Sequence, residues 1–77
     1  MFEFTLISNE AKIFNGNVSK VTFETDHGMV EILSQHQPYM ARIQSSIVYV
    51  KEDGTQGDAQ ITDGFIYTNG MICYAVV

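Results

Sequence analysis

Along the opening stretch of the chain apolar residues return at every second position. Phe2, Phe4 and Leu6 alternate with Glu3 and Thr5, the period of a strand that buries one face. Ser8-Asn9-Glu10 interrupts this pattern. A short strand, Lys12-Ile13-Phe14, then runs into Asn15-Gly16, a pair that favours a two-residue hairpin turn because both residues tolerate positive φ. A third strand, Val18 to Glu24, places Val21 and Phe23 on one face and Lys20, Thr22 and Glu24 on the other; it ends at Asp26-His27-Gly28. Met29 to Leu33 forms a fourth strand, followed by the polar turn Ser34-Gln35-His36-Gln37-Pro38.

The second half continues in the same style. Tyr39 to Ile43 reads as extended chain or a short strand, and Ile47 to Lys51 is β-branched. Glu52-Asp53-Gly54 turns the chain. Gly57 to Thr62 carries Ala59 and Ile61 inward, and Phe65 to Thr68 leads into a second Asn-Gly turn at Asn69-Gly70. The last strand, Met71 to Val77, is apolar on both faces, as expected of a strand inside a sandwich or against another protein. No stretch has the period of an amphipathic helix. Short strands punctuated by turn signals predict one all-β domain over residues 1–77, an antiparallel β-sandwich of about eight to ten strands.

Composition narrows what such a domain does. With 77 residues, the chain hides only about 60% of the surface its unfolded form exposes, so its stability margin is thin. Its single cysteine, Cys73, lies in an apolar run and makes no internal disulfide. A core without covalent support favours a permanent partner that lends it buried surface. The net charge is −5, and the four basic residues are scattered singly, which argues against nucleic acid and anionic lipid surfaces. The N-terminus lacks a basic region ahead of an apolar one, and no apolar run approaches the ~18 residues of a membrane-spanning helix. The expectation is an intracellular soluble protein with no membrane insertion.

Candidate chemistry is sparse. His27 and His36 match no metal-ligand spacing. A thiolate at Cys73 would be disfavoured by its apolar surroundings. Glu52, Asp53 and Asp58 read as solvated residues flanking a hairpin, and neither phosphate-cradling glycine pattern is present. The residues predict no enzyme, metal or cofactor. A stiff β domain of this kind binds through its loops and edges, and Met29, Tyr39, Met40 and the final strand are candidate contacts.

Gly28, Ile32, Leu33, His36 and Pro38 stand in an order that resembles the Gly-x-x-Gly-Ile-Leu-Pro-x-His-x-Pro segment of the epsilon subunit of proton-translocating ATP synthases. Phe4-Thr5-Leu6-Ile7, Phe14-Asn15-Gly16, Val18-Ser19-Lys20-Val21, Asp63-Gly64-Phe65 and the hairpin around Asn69-Gly70 are similar to further elements of that family's N-terminal half. The departures are Glu31 at the second glycine, Ser34 at the first proline, Ser45-Ser46 at a Pro-Gly turn, and Met29 where an acidic residue is common. The family's helical hairpin lies beyond Val77, so restraint of ATP hydrolysis and ATP binding are not carried over.

The resemblance implies a ten-stranded sandwich at the foot of a rotating central stalk. It would be a non-catalytic subunit, without a cofactor, that binds the gamma subunit and rests on the c-ring. Its location would be the cytoplasmic face of the bacterial inner membrane. Asp26, His27, Gly28, Met29 and Glu31 are then the candidate ring-facing loop, with His36, Pro38, Tyr39 and Met40 as candidate turn or interface residues. The alternatives are a small β-sandwich adaptor unrelated to ATP synthesis, or a fragment of a β-barrel enzyme whose catalytic residues lie elsewhere.

Overall fold

The computed structural model describes residues 1–8, 10–61 and 63–77. Its eight strands are β1 (Phe2–Ile7), β2 (Lys12–Thr25), β3 (Gly28–Ile32), β4 (Tyr39–Ile43), β5 (Ser46–Lys51), β6 (Gln56–Gln60), β7 (Gly64–Thr68) and β8 (Ile72–Val76). They join in the order β4-β7-β8-β1-β2-β5-β6, with β3 also on β2. The predicted break at Asn9 and the predicted strand end at Thr62 lie outside the described residues.

β2 makes this sheet into two layers. Its first half, Lys12 to Val18, pairs with β1, and its second half pairs with β5 and β3, which share Val21 to Phe23 as partners. The register against β5 shifts between Val18 and Lys20. A bulge of this kind bends a strand and increases its twist, which lets one strand serve both layers. The layers close where Phe23 of β2 meets Tyr39 of β4, ring centroids 6.3 Å apart, and where Gln44 N–H donates to the Glu24 carbonyl at 3.1 Å.

Between the layers lie Phe2, Phe4, Leu6, Val18, Val21, Phe23, Ile32, Ile43, Ile47, Tyr49, Ile61, Ile66, Cys73 and Ala75. The inward residues of the first strand are thus the ones its alternation predicts. Phe4, Phe14 and Tyr49 form an aromatic cluster with centroids 4.6–6.2 Å apart.

Two expectations are corrected. Asn15-Gly16 is not a turn: β2 runs straight through it, with Asn15 across from Thr5 and Gly16 across from Phe4. The Asn15 side-chain amide donates to Thr5 Oγ1 at 2.7 Å and to Glu3 Oε2 at 3.3 Å, and the ring of Phe14 covers the space that Gly16 leaves open. Pairing along β1 therefore overrides a local turn preference. Nor is the sheet wholly antiparallel, because β1 and β8, the first and last strands, run parallel from Glu3–Ile72 to Ile7–Val76. Eight strands are described, against the ten that the resemblance implies.

Candidate functional site

The outer surface of the layer β4-β7-β8-β1 is built by strand alternation. Inward residues of β8 are the small Cys73 and Ala75, paired in register with Phe4 and Leu6 of β1. Outward residues are Ile72, Tyr74 and Val76. The same alternation in β7 turns Ile66 inward and Phe65 and Tyr67 outward. The ladder then sets these side chains in rows. One row runs Met40–Tyr67–Tyr74–Thr5–Asn15, another Arg42–Phe65–Val76–Ile7, and a third Ile72–Glu3–Asn17.

Met40, Phe65, Tyr67, Ile72, Tyr74 and Val76 are 40–66% exposed. Single exposed apolar residues are ordinary, but a contiguous set is not. Polar Glu3, Thr5, Asn15 and Asn17 border it on one side, and Arg42 borders it on the other. An apolar centre of aromatic residues and Met with a polar rim has the composition of a protein interface. The doubly apolar final strand signalled this surface in the sequence. Phe65 and Tyr67 were not singled out there, although their alternation with Ile66 marks the same face.

A second site is the β2–β3 turn. Thr25 fixes it: its hydroxyl accepts from His27 N–H at 3.1 Å and donates to the Gly28 carbonyl at 3.0 Å. Gly28 closes the turn at φ 111°, a conformation that glycine adopts without a Cβ penalty. The Asp26 carboxylate accepts a hydrogen bond from the Gln44 side-chain amide, and Glu24 accepts one from the Ser45 hydroxyl at 2.8 Å. The turn is thereby tied to the β4–β5 connection. Met29, at 66% exposure, and Glu31 project from one face of β3 into solvent. Glu31 lies 3.6 Å from Lys20 Nζ in an exposed ion pair.

The remaining expected residues divide. Asp26 and His27 share a shallow groove of about 370 Å³ with Tyr39 and Met40. His36 and Pro38 belong instead to the β3–β4 connection, which packs on the β7–β8 hairpin: Gln35 N–H donates to the Gly70 carbonyl at 3.0 Å. His36 Nδ1 donates to the Gln37 carbonyl at 2.7 Å, and its ring meets Tyr39 edge-on at 5.8 Å. Tyr39 is half-buried, so it links these regions from beneath the surface. Cys73 is buried, and burial pushes its thiol up to about 12, which leaves it unreactive at neutral pH. Among the described residues no group of three or more His, Cys, Asp or Glu side chains converges on a metal position.

These features describe a two-layer β-sandwich domain with an apolar outer face. The chain belongs to the family of the ATP synthase delta/epsilon chain β-sandwich domain, whose model matches residues 1–73. Among curated relatives it is 32% identical over 66 residues to the ATP synthase epsilon chain of Ruminococcus albus, covering 86% of this chain and 49% of that one. It is 34% identical over 62 residues to that of Maricaulis maris, covering 80% and 47%. It thus spans about half the length of the curated relatives it matches.

Solved structures agree on the fold. A chain of the Euglena gracilis mitochondrial ATP synthase, in an OSCP/F1/c-ring assembly, superposes with TM-score 0.90 at 19% identity, covering 99% of this chain and 49% of that one. A chain of the Tetrahymena thermophila mitochondrial ATP synthase central stalk and c-ring gives 0.79 at 18% identity, covering 99% and 62%.

Proposed function

We propose that this domain is a non-catalytic joint of an ATP synthase rotor. In this reading it docks on the gamma subunit through the outer face of β4, β7 and β8 and turns the β2–β3 hairpin towards the c-ring. The observation that carries it is the contiguous exposure of Met40, Phe65, Tyr67, Ile72, Tyr74 and Val76 on three neighbouring strands, β4, β7 and β8. Family membership supports the choice of complex, and the bacterial relatives support the cytoplasmic face of the inner membrane as its location. A two-layer sandwich suits torque transmission, because its strands are cross-linked by hydrogen bonds and its interior is close-packed.

The ring-facing role belongs to Asp26, His27, Gly28, Met29 and Glu31. Glu24, Asp26 and Glu31 give this end an acidic character that complements a basic loop. The test is capture of the cognate gamma subunit by this domain, followed by the same measurement on Tyr74→Asp. A charge at the centre of an apolar interface is left unpaired on docking, so the variant should lose at least about tenfold in affinity while keeping the native fold. Undiminished capture by Tyr74→Asp refutes the assignment of this face.

A further inference from the structure

One ion pair borders the apolar face. Arg42 stands across the ladder from Phe65, with its Nη2 2.6 Å from Asp63 Oδ1 and its guanidinium carbon 5.8 Å from the Phe65 ring centroid. Both charged side chains are about two-thirds exposed, at 64% and 65%. An exposed pair of this kind contributes little to folding. It does hold the guanidinium in a defined position. The hydrogen bond from Nη2 and the charge of Asp63, with a smaller contribution from Asp26, raise its pKa further, so it is a permanent cation. Among the described residues the one side-chain hydrogen bond of the guanidinium runs from Nη2 to Asp63, so Asp63 does not use Nε or Nη1.

We propose that Arg42, positioned by Asp63 and by the ring of Phe65, is the specificity-determining residue of the docking face, recognising a carboxylate that the partner carries beside its own apolar patch. The inference rests on the docking reading given above and names the chemistry that the partner must present. When Phe65, Tyr67, Tyr74 and Val76 are covered, water leaves the neighbourhood of the guanidinium. A partner with a carboxylate there gains a charge-assisted pair, formed through the donors that Asp63 does not use. A partner without an acceptor leaves a cation desolvated and only half satisfied, which rejects it. The rest of the chain strengthens the contrast, since a net charge of −5 repels acidic surfaces elsewhere.

The experiment is titration of the cognate gamma subunit by calorimetry against the native chain, Arg42→Ala, Arg42→Lys, Asp63→Asn and Tyr74→Asp, with thermal melting of each. Arg42→Ala should weaken binding at least about tenfold with a melting temperature near that of the native chain. Arg42→Lys should recover only part of the loss, because an ammonium lacks the planar fork. Asp63→Asn, which leaves the cation but loosens its position, should cost a few-fold. Binding of Arg42→Ala within about twofold of native, or full recovery by Arg42→Lys, overturns the proposal. If Tyr74→Asp abolishes binding while Arg42→Ala does not, the docking reading stands and the Arg42 role falls. Absence of binding by the native chain overturns both.

Discussion

Gly64 is the position where the structure sets a local substitution against the whole sheet. It opens β7, is buried, and lies across from Ile43 on β4. A Cβ built there would stand 2.6 Å from the Val76 carbonyl oxygen, 3.1 Å from Ile61 Cγ2 and 3.3 Å from Val77 Cα. Ordinary contacts between carbon and its neighbours begin near ~3.5 Å, so Gly64→Ala requires a displacement approaching 1 Å. The closest atom is backbone on β8, which cannot rotate away as a side chain would. Overpacking of this kind costs about 1–3 kcal/mol. Against it stands the reduced entropy of the unfolded chain, which favours alanine by about 0.4–1 kcal/mol. Sterics win, with a net loss of about 1–2 kcal/mol. In a domain of this size that lowers the melting temperature by roughly 5–15 °C.

Urea unfolding followed by the emission of the four tyrosines measures this directly, because the chain has no tryptophan. The midpoint should fall with the slope unchanged. Gly16→Ala is the internal comparison: its nearest atom is Cζ of the Phe14 ring at 3.1 Å, a side-chain contact relieved by a much smaller shift, so the loss should be smaller than at Gly64. A Gly64→Ala variant as stable as the native chain would refute the claim that this close approach sets the spacing of β7 and β8. The functional consequence follows from the same contact. Displacing β8 from β7 disturbs the Phe65–Val76 row, so Gly64→Ala should also weaken capture of the gamma subunit.

Three further expectations test other parts of the molecule. The buried Cys73 thiol, pushed up to about 12 from an ordinary 9.0, should resist iodoacetamide at pH 8 in the folded chain and react on unfolding. The same shift makes stability constant with respect to this group below pH 9 and decreasing above it, since the unfolded chain ionises first; the slope approaches about 1.4 kcal/mol per pH unit and should be reduced in Cys73→Val. Glu31→Lys should leave thermal stability almost unaltered, because its pair with Lys20 is exposed, yet reduce the coupling of proton flow to ATP synthesis in the assembled complex. Unchanged coupling, measured as ATP formed per imposed proton gradient, removes Glu31 from the ring-facing role.

Strand periods were legible because burial imposes them. Phe2, Phe4 and Leu6 announce β1 by alternation alone, and Tyr39 to Ile43 is the strand that its extended character predicts. Turns were legible where nothing longer-ranged competed. Asp53 accepts from Thr55 N–H at 2.9 Å and from the Thr55 hydroxyl at 2.6 Å, which closes the turn that Asp53-Gly54 signals, with Gly54 at φ 90°. Gly70, at φ 96°, serves likewise after Asn69. Asn15-Gly16 has the same local chemistry and a different outcome, because residues on both sides of it pair in one register with β1. The parallel closure of β1 on β8 was not legible at all. Periodicity reports which face a strand buries and carries no information on its direction. Candidate contacts suffered the same limit: Met29 and Met40 are exposed as expected, but Tyr39 turns partly inward against Phe23.

The outer face is best understood through the position of β8 in the sheet. β8 lies between β7 and β1, so its backbone is paired on both sides, and its outward side chains add only cross-strand contacts, worth about 0.2–1 kcal/mol each, to the layer. Three of them, Ile72, Tyr74 and Val76, are nevertheless large and apolar. Polar residues at those positions would keep the ladder intact and remove exposed apolar area that is worth about 25 cal/mol per Å² when covered. That gain is available only to a bound state. In a chain of 77 residues, whose own core is small, covering this face adds to the domain's stability as well as to the affinity of the complex. On the docking proposed above, the same side chains would couple folding to assembly, and the Arg42–Asp63 pair at the edge of the face would select the partner.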